Sequence, residues 1–187
     1  MFRELVKKSR SIRRFRENEK IDRETLKSLV DLARLSPSAA NLQPLKYMIV
    51  NDPETNEKIF PCTAWAGYLK EWNGPEEGER PAAYIIILGD TEISSSTGCD
   101  HGIAAQSIML GAAEQGIGCC MIGSIKREQL RKQLDIPSRY DILLILALGK
   151  PAEDVVLEDA KEGNIKYYRD EKDVHHVPKR PLDEVII

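Results

Sequence analysis

Three stretches of the chain carry residue types that could do chemistry. The first is Arg10-Ser11-Ile12-Arg13-Arg14-Phe15-Arg16. Arginine forks bind phosphate oxygens in pairs, and a serine hydroxyl adds a neutral donor. The first 23 residues hold nine basic side chains against four acidic ones, a local excess of five in a chain of formal net charge −3. Two readings fit: a cradle for a cofactor phosphate, or a solvated basic turn paired with an acidic tail. The second stretch is Ser36-Pro37-Ser38-Ala39-Ala40-Asn41-Leu42-Gln43-Pro44. Its prolines stiffen a loop of small and amide residues, and an amide suits a ring edge of alternating N–H and C=O groups. An ordinary connecting loop is the alternative. The third is Gly116-Ile117-Gly118-Cys119-Cys120-Met121. A dinucleotide fingerprint fails there, because Met121 takes the third glycine position and the stretch follows a helix rather than a strand. Its glycines suit a helix C-cap and a close backbone approach.

Other candidates are weaker. Cys99, His101, His175 and His176 share no metal or nucleophile spacing, and Cys99 and His101 would project from opposite sides of a strand. No metal site is expected. Trp65, Tyr68 and Trp72 stand at i, i+3 and i+7, which fits a helix face on the core or a lid over a flat cofactor.

The elements that must position these groups follow from periodicity. Phe2, Leu5 and Val6 start a short helix, and Asp22 is a plausible N-cap for a second whose apolar face is Leu26, Leu29, Val30 and Ala33. Pro37 ends it. Tyr47–Val50 reads as a short strand and 53–60 as a helical turn. Tyr84–Leu88 reads as a buried strand. Asp100 is expected to cap a helix that is apolar nearly all round and stops at Gly116, so it belongs in the middle of the structure. Ser124 is expected to cap a short basic helix ahead of the strongest strand, Asp141–Leu148. Residues 151–187 hold ten acidic and six basic side chains, with one hairpin-like pair at Ile165–Arg169 and Val174–Val177. Such a segment cannot make its own core and must lie over another surface, of its own domain or of a partner.

Composition bounds the rest. At 187 residues the chain is expected to form one domain, 1–187. Its acidic balance argues against a general nucleic-acid binder. The longest apolar run, Ile142–Leu148, is far short of the roughly 20 residues of a membrane span. No signal-peptide core precedes it, and the four cysteines match no disulfide or zinc pattern, so a cytoplasmic location with reduced thiols is expected.

Taken in order, the motifs resemble the FMN-dependent nitroreductase family. The resemblance runs from about Arg10 to Val185: Arg-Ser-x-Arg-x-Phe, Pro-Ser-Ala-Ala-Asn-Leu-Gln-Pro, the apolar helix with Gln106, Gly-Ile-Gly-Cys-Cys-Met-Ile-Gly, Leu-Gly-Lys-Pro, and Val-Pro-Lys-Arg-Pro-Leu-Asp-Glu-Val-Ile. It implies an α+β nitroreductase-like fold with a central, mostly antiparallel sheet flanked by helices. It also implies a homodimer with FMN at the subunit interface and a C-terminal arm, 151–187, exchanged onto the partner. Carried over, Arg10 and Ser11 face the phosphate and Arg13 the pyrimidine edge. Pro37, Ser38, Ala39, Asn41 and Gln43 line the ring from the other subunit, and Gln106 joins the cofactor set. Ile122 and Gly123 give backbone contacts, and Lys179 and Arg180 close over the phosphate. Hydride would pass from NADH or NADPH through the flavin to small acceptors such as nitroaromatics or quinones, with no protein acid or nucleophile. Arg13 would supply fixed positive charge near the reduced ring. Alternatives are a flavin-fragmenting or dehalogenating enzyme on the same fold, or a flavin-binding carrier or sensor without efficient turnover. Ser9, Leu45 and Met121 depart from the family's usual basic and aromatic residues at those positions, which alters one phosphate contact and the pocket wall.

Overall fold

A computed structural model describes residues 2–187. Two apolar runs set its centre. β2 (Ala83–Asp90) and β4 (Tyr140–Gly149) pair antiparallel, and both are buried along most of their length. β1 (Leu45–Val50) and β3 (Gly118–Ile122) flank them, giving a fully antiparallel sheet of order β1-β2-β4-β3.

Strand alternation sends side chains to two cores. Ile85, Ile87, Leu146, Leu148 and Cys119 meet α2 (Arg23–Arg34) and α4 (Asp100–Glu114). Tyr84, Ile86, Leu88, Ile145, Cys120 and Ile122 meet α3 (Pro53–Ile59), α5 (Arg127–Gln133) and the N-terminal residues Ile12 and Phe15. The adjacent cysteines 119 and 120 therefore belong to opposite cores, and all four cysteines are free thiols. Asp22 caps α2 as its spacing predicts, accepting from the Thr25 N–H at 2.8 Å. The short helix α1 (Phe2–Lys8) packs on α4.

Four expectations are corrected. Asp100 is the first residue of α4 rather than its cap; Cys99 stands at the N-cap, with no side-chain bond to the helix. The Asp100 carboxylate is drawn to another segment, described below. Ser124 does not cap α5, which starts at Arg127, because the backbone of 124–126 pairs with 62–64 instead: Ala64 N–H to Ser124 C=O at 3.0 Å and Lys126 N–H to Cys62 C=O at 2.8 Å. Trp65, Tyr68 and Trp72 lie on no helix, since Pro61, Gly67 and a left-handed Ala66 (φ 37°) break the segment into turns. Cys99 and His101 sit at the start of α4, not on a strand.

Beyond Gly149 a second, small sheet forms: β5 (Val155–Asp159), β6 (Tyr168–Arg169) and β7 (His175–Lys179), in the order β5-β7-β6. The hairpin at 170–173 is present in shortened form, and the parallel pairing of β5 with β7 is an addition the local pattern does not signal. Among the described residues, no helix is long and apolar enough to cross a membrane.

Candidate functional site

Residues 11–16 cross the end of the main sheet, and two glycines let them do so. A Cβ on Gly118 would sit 2.9 Å from Ile12, and one on Gly149 would sit 2.8 Å from Phe15. The Ile12 N–H donates to Cys119 C=O at 3.1 Å, and the Arg16 N–H to Lys150 C=O at 2.8 Å. Ile12 and Phe15 are thereby committed to the core, which leaves the arginines between them turned outward.

These arginines divide into two kinds. Arg14 pairs with Asp173 and, at 3.2 Å, with Glu79; Arg16 pairs with Glu19 at 3.0 Å. Arg10 donates only to the Val6 carbonyl, at 2.6 Å. Arg13 donates to Ser11 C=O at 3.3 Å, lies 3.1 Å from His175 Nε2, and stacks on Tyr167 at 4.7 Å. Among the described residues, no carboxylate stands within ion-pair distance of the Arg10 or Arg13 guanidinium. The reading of a turn paired with the acidic tail thus describes Arg14, through Asp173; Arg16 is paired locally, and Arg10 and Arg13 are not paired.

Arg10 and Ser9 line a cavity of about 230 Å³ with Lys7, Lys8, Met109, Ala113, Gly118, Cys119, Glu153 and Val155. Ser9 is buried, and both its Oγ and Arg10 Nε lack hydrogen-bond partners. Burial lowers the Arg10 pKa, as expected for a cation short of counter-charge. Unpaired donors beside Lys8 and Arg10 suit an anion such as a phosphate, while Lys7 pairs with Glu4 at 3.1 Å. The volume falls below the roughly 300–1,000 Å³ of a complete small-molecule site, so the cavity fits part of a cofactor rather than all of it.

Arg13 is fixed by the small sheet. Glu153 accepts from the Arg13 and Arg14 backbone N–H groups, and takes an ion pair from Arg169 at 2.9 Å with its own side chain only 1% exposed. Tyr167 lies between Tyr68 (4.9 Å) and His175 (5.3 Å), while Trp72 receives Arg14 (5.9 Å) and Arg169 (4.4 Å). Tyr68 and Trp72 thus brace the C-terminal segment. Trp65 packs instead on Phe60, at 6.1 Å. Glu153 and His175 stand 140 and 162 residues from Arg13, and nothing local in the sequence marks either.

The neighbouring histidines titrate in opposite senses. Because Arg13 can only donate, His175 Nε2 accepts and its proton sits on Nδ1. Burial, then the Arg13 and Arg169 charges, push its pKa down to about 4 from 6.5. Hydrogen bonds that the His176 ring donates to the Asp170 and Glu158 carboxylates raise its pKa above 6.5. Unfolded chain binds more protons at the first site, so stability is lost as pH falls from about 6.5 towards 4; at the second, the contribution present below about 6.5 is lost as pH rises through the raised value. Hydrogen-exchange protection of β7 is therefore expected to peak near pH 6.5. H176Q should flatten the alkaline limb alone, and an unchanged limb would contradict the assignment.

A second cavity, also about 230 Å³, is lined by Arg34, Ser36, Pro37, Ser38, Gln43, Leu45, Tyr47, Asp100 and Ala104. The loop carrying Ser38 holds Ala40, Asn41 and Gln43 at φ 50°, 55° and 53°, the left-handed region that non-glycine residues avoid. Burial, with a smaller push from Asp100, raises the Tyr47 pKa to about 12.

α4 connects the two cavities. One takes Met109 and Ala113 from it, the other Asp100 and Ala104; the midpoints lie nine residues, about 13 Å, apart along the axis. Gln106 is exposed, three and seven residues before Met109 and Ala113 and hence on their stripe. Ile122 ends β3 and Gly123 follows it, three and four residues from the Ser11–Cys119 contact, and the Gly123 carbonyl accepts from Arg127 at 3.4 Å. Lys179 is exposed opposite Asp159 at the far end of β7, and Arg180 pairs with Glu184 at 3.3 Å. Neither lines either cavity.

Comparison with known proteins gives the family and the fold. The model of the Nitroreductase family matches residues 6–150. A Bacillus subtilis protein bearing the name NAD(P)H nitroreductase YodC is 25% identical over 177 residues, covering 79% of this chain and 88% of its own. Among solved structures, an FMN-dependent nitroreductase from Clostridium difficile R20291 superposes with a TM-score of 0.66 at 27% identity, over 85% of this chain and 91% of that one. A nitroreductase family protein from Streptococcus pneumoniae TIGR4 shares the fold over 100% of this chain and 99% of its own, with a TM-score of 0.71 at 19% identity.

Proposed function

As the chain belongs to the nitroreductase family, we propose that it is a homodimeric FMN-dependent oxidoreductase using NADH or NADPH to reduce small electrophilic acceptors such as nitroaromatics or quinones. The observation that carries this reading is the pair of arginines, Arg10 and Arg13, left without carboxylate partners, the first of them lining a cavity with orphaned donors. FMN, when bound, supplies the two-electron chemistry.

The residues present suit that group. Arg10 and Ser11, with Ser9 Oγ nearby, would hold the phosphate, and Lys179 and Arg180 would close over it from the C-terminal arm. Arg13, held by His175 and Tyr167 without being neutralised, would keep a fixed cation near the pyrimidine edge. Such a pre-positioned charge favours negative charge developing there during reduction. Backbone at Ile122 and Gly123 would run beside the ring.

Reach supports the dimer. The loop from Pro37 to Gln43 stands about 13 Å along α4 from the Arg10 cavity, and each cavity alone is small for a cofactor. A second copy would bring its loop and its Gln106 face to complete the site. Leu42 on that loop, Leu32 and Leu35 at the end of α2 and Ile103 on α4 are exposed, as are Leu182, Val185, Ile186 and Ile187 on the tail, apolar surface that a partner would cover. We place the protein in the cytoplasm, where its four free thiols stay reduced.

The purified protein should be yellow and release about one FMN per chain on heating. It should oxidise NADH or NADPH when given a nitroaromatic or a quinone. A colourless protein that ignores added FMN would overturn the reading, and bound flavin without turnover would select the carrier or sensor.

A further inference from the structure

We propose that Asp100 is a positioning residue for flavin chemistry: its buried carboxylate holds the Ser38–Gln43 loop in the strained form that presents Asn41 and Gln43 to the cofactor of the partner subunit. The inference rests on the proposed role of that loop as the ring-lining segment. Asp100 itself would touch neither flavin nor substrate.

The carboxylate is spoken for. Asp100 is 5% exposed, and its oxygens accept from Ser38 Oγ at 2.6 Å and from the Ala39 N–H at 3.0 Å. Ser38 Oγ in turn accepts from the Gln43 N–H at 2.9 Å. A single chain of hydrogen bonds therefore runs from Asp100 through Ser38 to the far end of the loop. It spans the three left-handed residues Ala40, Asn41 and Gln43. Non-glycine residues are disfavoured in that region, so the conformation persists only where surroundings over-determine it. None of the three carries a glycine that would make the shape locally easy.

The usual demand on an aspartate at this place would be to cap its helix. Cys99 occupies the N-cap with no side-chain bond, so α4 forgoes that cap while Asp100 serves the loop. Its position in the first turn of α4 still favours a negative charge there. No cation pairs with it among the described residues; the Ser38 hydroxyl, the Ala39 N–H and the helix dipole replace one. The loop is tied to α4 a second time, by Ser36 Oγ and Ser107 Oγ at 2.7 Å, which fixes its entry but not the strained residues.

The test compares D100A, D100N and S38A with the wild-type dimer by FMN titration, by KM and kcat for a quinone acceptor, and by the visible circular dichroism of bound flavin. D100A should weaken FMN binding about tenfold or more, the effect of losing charged hydrogen bonds. It should also raise KM more than it lowers kcat, and change the visible dichroic bands. D100N keeps an acceptor for the Ala39 N–H and an amide for Ser38, and should restore the bands. Because Asp100 acts through Ser38, D100A/S38A should be no worse than D100A. An altered melting temperature with wild-type bands, FMN affinity and KM would overturn the proposal, as would additive losses in the double variant. If D100A does not fold, D100N against S38A decides: S38A must perturb the bands and D100N must not. A wild-type chain that takes up no FMN would instead sink the underlying function, and the two failures are thereby distinct.

Discussion

Replacing Arg10 and Arg13 together by alanine should cost the protein its cofactor, with FMN affinity falling by roughly 3–6 kcal/mol if each charged contact contributes about 1.5–3 kcal/mol. Either substitution alone should cost about half of that, a loss of at least tenfold in Kd. These two guanidiniums meet no carboxylate, so removing them strands no buried anion in the apo protein. Arg14→Ala is the contrast. Its partners Glu79 and Asp173 are 39% and 55% exposed, and a surface pair contributes about 0–1 kcal/mol. FMN titration of the three variants checks the division. If Arg14→Ala weakened FMN as much as Arg10→Ala, the distinction between paired and unpaired arginines would fail. The two unpaired arginines should differ in kind as well. Arg10 borders the cavity with the orphaned donors and should govern binding, whereas Arg13→Ala should also slow reduction by NADH at saturating FMN.

Truncation after Lys161 is expected to leave a chain too unstable to hold a holo-dimer. The cut removes β6, β7 and Arg169, and leaves the nearly inaccessible Glu153 carboxylate with only two backbone donors. Breaking a buried pair from one side costs about 3–5 kcal/mol, a large part of the roughly 5–15 kcal/mol that holds a domain folded. The same cut removes Tyr167 and His175 from Arg13 and uncovers Tyr68 and Trp72. Arg169→Ala isolates the electrostatic part and should lower stability in urea by about 3 kcal/mol, while E153Q beside it should recover some of that loss. A truncated protein that purified as a normal flavin-bound dimer would refute both the clasping arm and the buried pair.

Much of the fold was legible because the information was local. The continuous apolar runs of β2 and β4, the amphipathic face of α2 with its Asp22 cap, and the almost chargeless α4 each follow from a pattern within about fifteen residues. The order of the motifs along the chain pointed to the nitroreductase family, which the match over residues 6–150 establishes. Local reasoning failed where a backbone or side chain had two suitors. Asp100 could cap its helix or bind a distant loop; the loop carries two donors, and it wins. Residues 124–126 could start a helix or pair with 62–64, and the pairing wins.

The N-terminal excess of positive charge is a property of the sequence alone: nine basic residues stand among the first 23, with Ser11 between them and the Ser36–Pro44 loop close behind in the chain. Which of those arginines stays unpaired is not. Glu153, Asp173 and His175 reach this segment only because β4 delivers the chain to its edge and β5 pairs in parallel with β7, and Glu79 reaches it from the turn before β2, where its carbonyl accepts from the Phe15 N–H. Charge is additive along a chain and can be counted from composition. Neutralisation depends on distances of a few ångströms between residues as much as 159 positions apart, and only the tertiary structure sets those.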